Sequence, residues 1–323
     1  MERETLLHHL AEHWLTIYGE SSAAENARRY SLKMIEIMRL EDGVTPGAGP
    51  NNWSEKDVVL ITYGDSIKSE GEVPLGQLYK FLENHCRGVI NSVHILPFFP
   101  YSSDDGFSVI DYFAVDEELG GWEDIENIAR DYRLMADLVI NHCSAESSWF
   151  ENFINEEGEG SNFFFTADED QDLSLVVRPR TTPLLREVQT ASGKQHVWCT
   201  FSHDQVDFDF SNPEVLLTFL KIIRFYLDRG VRLFRLDAVA FLWKEPGTSC
   251  INLPQTHEVI RLLRHLIEYA QPDSVVITET NIPTRENLSY FGQADEANWI
   301  YNFSLPPLLI YTFLAGDCTL LRQ

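Results

Sequence analysis

Apolar residues in the first 41 positions recur at helical spacing, in two groups separated by residues 19–22. The groups are Leu6, Leu7, Leu10, Trp14 and Ile17, then Tyr30, Met34, Ile37 and Met38. This spacing predicts two amphipathic helices. They are expected to form a helical extension packed on the following domain, and a partner-binding helix is the alternative. Residues 43–52, GVTPGAGPNN, are a loop by composition.

Beyond residue 53, short apolar runs alternate with amphipathic segments. The runs predict strands at 58–62, 93–96, 134–140, 231–236, 275–278 and 299–303, and the segments predict helices at 75–85, 125–132, 213–229 and 256–270. Strands that alternate with helices are typical of parallel βαβ units. Between residues 142 and 212 the alternation stops, and about seventy residues are too many for an ordinary loop after a strand. We therefore expect an inserted subdomain there.

The net charge and the cysteine content indicate which binding partners and which cellular compartments the sequence argues against. A net charge of −25 argues against nucleic acid and anionic membranes as partners, so a phosphate site needs a local cluster of arginines. The five cysteines include no C-x-x-C pair, which favours reduced thiols in the cytoplasm over a disulfide or zinc framework. The first residues lack the apolar core of a signal peptide, and no run is long enough to span a bilayer. The sequence does not indicate an oligomeric state.

Ionisable and amide side chains lie in or after three of the predicted strands. Asp137 and the pair Asn141-His142 belong to the third strand, Arg235 and Asp237 to the fourth, and Glu279 to the fifth. Burying such groups is costly unless they serve each other. In a parallel barrel these strand ends meet at the active-site face, where Arg235 would hold Asp237 ionised; a buried salt bridge is the alternative. Three such strand ends in succession are better explained as one site.

These residues resemble a known family. D-x-x-x-N-H at 137–142, R-x-D at 235–237 and Glu279 at a strand end resemble the first three signature regions of the α-amylase superfamily, glycoside hydrolase family 13. Segments at 57–65, 93–112, 235–250 and 301–309 resemble its sucrose-phosphorylase-like subgroup. Residues 278–292, TETNIPTRENLSYFG, look most like the glucosylglycerate phosphorylase branch. The resemblance covers nearly the whole chain.

The resemblance implies an α/β fold, the (β/α)8 TIM barrel, which here would end after about six strands. We expect an N-terminal helical extension and linker at 1–52, barrel segments at 53–142 and 213–323, and an inserted subdomain at 143–212, after strand 3. Family members carry an H-D pair at the end of the seventh strand. No such pair follows Glu279, and His203-Asp204 precedes the nucleophile region. The expectation is therefore a fragment that lacks its C-terminal part, is poorly stable and shows little turnover alone.

Cleaving a glycosidic bond with retention needs one ionised carboxylate and one carboxylic acid that keeps its proton. Arg235 is expected to lower the pKa of Asp237, whereas desolvation at the end of an apolar strand raises that of Glu279. The resemblance implies the same roles, with Asp237 as nucleophile and Glu279 as general acid/base.

The resemblance also implies residues that bind the sugar and its acceptor. Asp104 matches a glucose-binding aspartate, Phe107 an aromatic platform and His142 a histidine that hydrogen-bonds the donor glucose. By composition alone, residues 102–107 are a solvated loop and His142 caps its strand. Arg178 and Arg180 lie in the loop RPRTTP, which by resemblance faces the acceptor; guanidiniums suit phosphate, and surface charges are the alternative. No metal or cofactor is assigned, and inorganic phosphate is the expected co-substrate.

The predicted function is a retaining α-glucoside phosphorylase that converts glucosylglycerate and phosphate to α-glucose 1-phosphate and glycerate. The alternatives are a sucrose or sucrose-6'-phosphate phosphorylase, a glucoside hydrolase, and a truncated carbohydrate-binding relative without activity. Position 281 is Asn where sucrose phosphorylases carry a histidine, and Phe241 replaces a tyrosine of that group. Both departures argue against sucrose as the substrate.

Overall fold

The computed structural model describes residues 3–19, 24–40, 53–168 and 170–322. Its strands are β1 (Val59–Thr62), β2 (Ser92–Ile95), β3 (Arg133–Val139), β4 (His142–Ser144), β5 (Leu185–Gln189), β6 (Lys194–Trp198), β7 (Gln205–Asp207), β8 (Val231–Asp237), β9 (Val275–Thr278) and β10 (Trp299–Ile300). Its α-helices are α1 (Arg3–Tyr18), α2 (Ala24–Met38), α3 (Pro74–Phe81), α4 (Trp122–Asp131), α5 (Ser148–Asn155), α6 (Pro213–Asp228), α7 (Pro254–Ala270), α8 (Thr284–Ser289) and α9 (Leu305–Ala315). The loop predicted at 43–52 and residues 20–22 of the predicted break lie outside the described ranges.

Six strands form one parallel sheet in the order β1-β2-β3-β8-β9-β10. All six predicted strands belong to it, and α3, α4, α6 and α7 lie where helices are predicted. The sheet curls into half of a barrel, which confirms the predicted fold class. Because its strands are parallel, their C-terminal ends share one rim. The register on that rim sets Asp137 beside Arg235, and Val139 beside Asp237.

The last strand is shorter than predicted. A strand over 299–303 is expected from sequence, but β10 spans only Trp299–Ile300. The Asn302 side chain accepts hydrogen bonds from the backbone N–H groups of Ser304, at 3.1 Å, and Leu305, at 3.2 Å. This side chain satisfies N–H groups at the start of α9 and turns the chain out of the sheet.

Local sequence signals explain the helix that precedes β8. The Asn212 side chain caps α6 by accepting a hydrogen bond from the Glu214 N–H at 3.1 Å, and Pro213 occupies the first helical position. Gly230, at φ 88°, ends the turn after the helix, where a Cβ would lie 2.8 Å from Ala129. This tight turn brings β8 directly back into the sheet.

The N-terminal helices pack as predicted for a helical extension. Helix α1 lies against α2 and α7, and α2 lies against α6. The Trp14 ring stacks on Tyr30 at a centroid distance of 4.1 Å. Tyr18 contacts Trp243 edge to face at 6.2 Å. The extension therefore reaches the loop that follows β8.

The segment expected to hold an insertion contains elements outside the main sheet. Strands β4 and β7 form one antiparallel pair, β5 and β6 form another, and α5 lies between β4 and β5 in sequence. Because β4 begins at His142, immediately after the rim of β3, these pairs stand next to the predicted site. The domain boundaries themselves stay a prediction.

Helix α9 differs from the other long helices because none of its residues is buried. Phe313 and Leu314 are 84% and 85% exposed, and β1 and β10 form the two edges of the described sheet. The low stability expected for the chain alone stays a prediction.

None of the helices in the described ranges combines the length and apolar character that crossing a membrane requires.

Candidate active site

Four side chains from three adjacent strands form a continuous chain of contacts across the rim. His94 on β2 donates from Nε2 to Asp137 Oδ2 on β3 at 2.8 Å, and both side chains are fully buried. Arg235 Nη1 on β8 contacts Asp137 Oδ1 and lies 2.8 Å from Asp237 Oδ1. One guanidinium therefore bridges two buried carboxylates, which fixes the direction of Asp237 and offsets the cost of burying the charges.

Glu279 follows β9 and is held from the neighbouring strand. Its Oε2 accepts a 3.0 Å hydrogen bond from the backbone N–H of Ala238, the residue after Asp237. Ala238 has φ 50° and lies in the left-handed region, which turns its N–H away from the ladder of β8. The two carboxylates that the sequence predicts as a pair thus lie on adjacent strand ends and are joined through one backbone group.

Burial raises the pKa of Asp237, and the charges of Arg235 and His142 only partly oppose this rise. Arg235 lowers the Asp237 pKa as expected, but desolvation outweighs this effect, so the pKa of Asp237 lies above its ordinary value. Burial and the Asp237 charge together raise the pKa of Glu279, as expected. The direct contact with Arg235 favours the ionised form of Asp237, and the Asp237 charge in turn favours the protonated form of Glu279.

The three residues predicted to bind the donor sugar are neighbours. His142 is buried and donates from Nε2 to the Phe107 carbonyl oxygen at 3.0 Å. Gln205 on β7 donates from Nε2 to Asp104 Oδ2 at 2.9 Å, and the same nitrogen lies 3.2 Å from His142 Nε2. The Phe107 ring lies 5.3 Å from the Arg235 guanidinium carbon. The structure therefore brings Asp104, Phe107 and His142 together beside Arg235.

A buried lysine is linked to this group through Asn141, whose side chain lies 3.2 Å from His142 Nδ1. Lys244 Nζ is 2.8 Å from Asn141 Oδ1, 3.0 Å from Asp207 Oδ2 and 3.4 Å from the Phe208 carbonyl oxygen. The lysine side chain is 1% exposed and the aspartate is fully buried. This cluster joins the end of β3 to β7, so the lysine holds β7 against the barrel rim.

The two arginines of the 178–183 loop have different environments. The Arg178 guanidinium donates to the Thr182 carbonyl oxygen of its own loop, and burial lowers its pKa. The Thr182 hydroxyl donates to the Phe201 carbonyl oxygen at 3.1 Å, and the Phe201 ring packs on His142 at 5.1 Å. Arg180 is exposed and has no hydrogen bond or ion pair within the described part of the chain. The loop thus adjoins the donor group, and phosphate binding by either arginine stays a prediction.

Several residues at the site were not identified from the sequence. They are His94, Gln205, Lys244 and Tyr301, and Asp137 was noted only as part of a motif. The Tyr301 ring lies 5.5 Å from the Arg235 guanidinium carbon. Tyr301 follows β10, whereas Asp137 approaches Arg235 from β3, on the other side of β8 in the sheet. A histidine inside an apolar strand and a lysine next to a tryptophan are weak signals of a functional site. The first is also found in ordinary cores, and the second on ordinary surfaces. Their partners lie far away in sequence.

The chain is similar to known proteins over most of its length. The model of the family described as Alpha amylase, catalytic domain, matches residues 88–317. A glucosylglycerate phosphorylase of Allomeiothermus silvanus is 48% identical over 98% of this chain and 55% of its own length. A glucosylglycerate phosphorylase of Escherichia coli is 44% identical over 91% of this chain and 52% of its own length.

A solved structure is also similar. The sucrose 6F-phosphate phosphorylase from Thermoanaerobacter thermosaccharolyticum superposes with a TM-score of 0.73 at 27% identity, over 85% of this chain and 57% of that one. The chain spans about half the length of the curated relatives that it matches.

Proposed function

The chain belongs to the α-amylase family of catalytic domains, and from that premise we propose that it carries the donor site and both reactive carboxylates of a retaining α-glucoside phosphorylase. The observation that carries the proposal is the arrangement of Asp237, held by Arg235, beside Glu279, held by the Ala238 N–H. The 44–52% identity to glucosylglycerate phosphorylases supports glucosylglycerate as the donor.

In the first step, an Asp237 oxygen attacks the anomeric carbon of the glucosyl group, and the bond from that carbon to the glycerate oxygen breaks. The proton of Glu279 passes to the departing oxygen, so glycerate leaves as a neutral hydroxyl. The glucosyl group is then held on Asp237 as an ester with inverted configuration. The two carboxyl groups of a retaining pair are about 5–5.5 Å apart, which leaves no room for an intervening water.

In the second step, a phosphate oxygen attacks the same carbon and the ester bond to Asp237 breaks. Glu279, now ionised, takes the proton from the attacking phosphate. Two inversions give net retention, so the product is α-glucose 1-phosphate. Asp104, Phe107 and His142 are proposed to hold the glucosyl ring through both steps, because they form one hydrogen-bonded group next to Arg235.

The test is phosphate-dependent release of glucose 1-phosphate from glucosylglycerate, sucrose and sucrose 6'-phosphate, followed by 31P NMR. Turnover by this chain alone is expected to be low, and within it we expect the α anomer, the highest kcat/KM with glucosylglycerate, and no product from the Asp237→Asn variant. A higher kcat/KM with sucrose would favour a sucrose phosphorylase, and a higher kcat/KM with sucrose 6'-phosphate would favour a sucrose-6'-phosphate phosphorylase. Glucose release without phosphate would indicate a hydrolase, and sugar binding without turnover would indicate a carbohydrate-binding relative. A cytoplasmic location stays a prediction.

A further inference from the structure

The loop that carries Asp104 and Phe107 has a strained backbone. Asp104, Asp105 and Gly106 have φ values of 57°, 50° and 103°, three consecutive residues in the left-handed region. Two of them are not glycine, so their Cβ atoms make this conformation costly. A Cβ at Gly106 would lie 2.8 Å from the Pro97 carbonyl oxygen. Such a conformation persists only where surrounding contacts hold it.

One carboxylate outside the loop supplies those contacts. Asp204 Oδ2 accepts hydrogen bonds from the hydroxyls of Ser102 at 2.6 Å, Ser103 at 2.5 Å and Ser108 at 2.8 Å. The serines stand on both sides of the strained residues, so a single oxygen closes the loop at its base. The Asp204 carbonyl oxygen accepts from the Ala145 N–H at 2.7 Å, which anchors it to the segment after β4.

Asp204 is well suited to this task because it is ionised and only partly exposed. Burial raises the pKa of Asp204, but the three serine hydroxyls and Arg186 outweigh it, so the pKa lies below its ordinary value. A carboxylate only accepts hydrogen bonds, which forces all three hydroxyls to point at it. An amide or a water would leave the directions of these hydroxyls open.

The next residue connects this network to the donor group. Gln205 donates to Asp104 Oδ2 at 2.9 Å, and its Nε2 lies 3.2 Å from His142 Nε2. Residues 204 and 205 therefore contact the loop at two places. Asp204 binds the serines at its two ends, and Gln205 binds Asp104. A shift of the base would move Asp104 relative to Gln205 and His142.

We propose that Asp204 is a positioning residue that acts through Ser102, Ser103 and Ser108 to hold the 102–108 loop in the conformation that presents Asp104 and Phe107 to the donor glucose. The inference rests on the proposed function for the identity of the donor. It assigns to the inserted segment a specific part in donor binding. Asp204 itself contacts none of the reacting atoms in this scheme.

The experiment compares Asp204→Ala and the isosteric Asp204→Asn with wild type. Asp209→Asn is the matched control, because Asp209 lies on the same segment and accepts from Ser211 N at 2.9 Å and Ser211 Oγ at 2.6 Å, away from the loop. Amide hydrogen exchange of a peptide covering residues 98–110 reports the loop directly. Steady-state assays with α-D-glucosyl fluoride and phosphate give separate KM values for donor and acceptor.

We expect faster exchange of the 98–110 peptide in both Asp204 variants and unchanged exchange in the control. The donor KM should rise about ten- to hundredfold, since a misplacement of ~1 Å costs as much as hundredfold. The phosphate KM should stay within about twofold, because a merely destabilised protein would lose both substrates alike. Adding Ser103→Ala to Asp204→Ala should cause no further loss, because the Ser103 hydroxyl acts through Asp204.

Unchanged exchange in both Asp204 variants, or equal increases in the two KM values, would overturn the inference. Additive losses in the double variant would do the same. If wild type uses no glucosyl donor, the proposed function fails, and the exchange measurement alone then decides whether Asp204 holds the loop. If Asp204→Ala does not fold, Asp204→Asn provides the same comparison.

Discussion

The backbone N–H of Ala238 donates a 3.0 Å hydrogen bond to Oε2 of Glu279, so the residue that follows the proposed nucleophile also orients the proposed acid. The bond favours the ionised form of Glu279, but burial and the nearby Asp237 charge outweigh it and raise the pKa. With Oε2 held by an N–H donor, the proton of Glu279 is expected on Oε1. Glu279 is therefore oriented to donate its proton from Oε1.

Replacing the proposed acid should slow turnover only for donors whose leaving group needs a proton. Glu279→Gln keeps an oxygen for the Ala238 N–H but has no proton to donate, so turnover of glucosylglycerate should fall about 10²–10⁴-fold. Fluoride leaves without protonation, so α-D-glucosyl fluoride should lose far less in the first step. Single-turnover kinetics with both donors measure this. Glu286→Gln is the matched control, and equal losses with the two donors would contradict the assignment.

The acid limb of the pH profile should depend on Arg235. Burial raises the Asp237 pKa and Arg235 opposes the rise, so Arg235→Gln should raise that pKa further. A nucleophile must be ionised, and a higher pKa means that protonation removes activity at a higher pH. The acid limb of kcat/KM for α-D-glucosyl fluoride should therefore move to higher pH. Arg235→Lys, which keeps the charge, should move it less; an unmoved limb in both variants would refute this explanation.

The buried lysine should matter for stability. Lys244→Met leaves the Asp207 carboxylate without its cation and Asn141 Oδ1 without its donor, which should cost about 3–5 kcal/mol of unfolding free energy. Urea unfolding measures the loss. Lys68→Met, at an exposed pair with Asp65, should have no measurable effect. Adding Asp207→Asn to Lys244→Met should recover part of the loss, and a double variant that is less stable still would argue against an unpaired charge as the cause.

The two arginines of the 178–183 loop should behave differently. Arg180 is exposed and has no partner among the described residues, so it can bind an anion. Arg180→Ala should therefore raise the phosphate KM by about tenfold or more, the equivalent of one charge-assisted hydrogen bond of roughly 1.5–3 kcal/mol. The donor KM should change little. Arg178 is bound to Thr182, so Arg178→Ala should instead loosen the loop and affect both substrates. Arg29→Ala on α2 is the surface control, and an unchanged phosphate KM in Arg180→Ala would favour plain surface charge.

Much of the fold was predictable because local signals agreed with the global arrangement. Each strand of the main sheet is a short apolar run, and α6 begins with an asparagine cap and a proline, which are both local helix signals. The pairing of Asp237 with Arg235 was also predictable, since residues two apart on a strand point to the same face. The length of β10 was not, because a side chain of the following turn ends it.

The sequence by itself determined the parallel α/β architecture, because strand periodicity encodes it locally, and it placed the proposed carboxylate pair at two strand ends. The proposed donor-binding residues followed only from the resemblance to a family. Only the tertiary structure decided the rest. The Lys244 cluster joins residues 141, 207 and 244, the Asp204 network joins 102–108 to 204, and His94 meets Asp137 across two strands. The direction of the Asp237 pKa shift likewise depends on how completely these segments exclude water from the carboxyl group. Burial and long-range contact are properties of the packed chain, and no local pattern of residues specifies them.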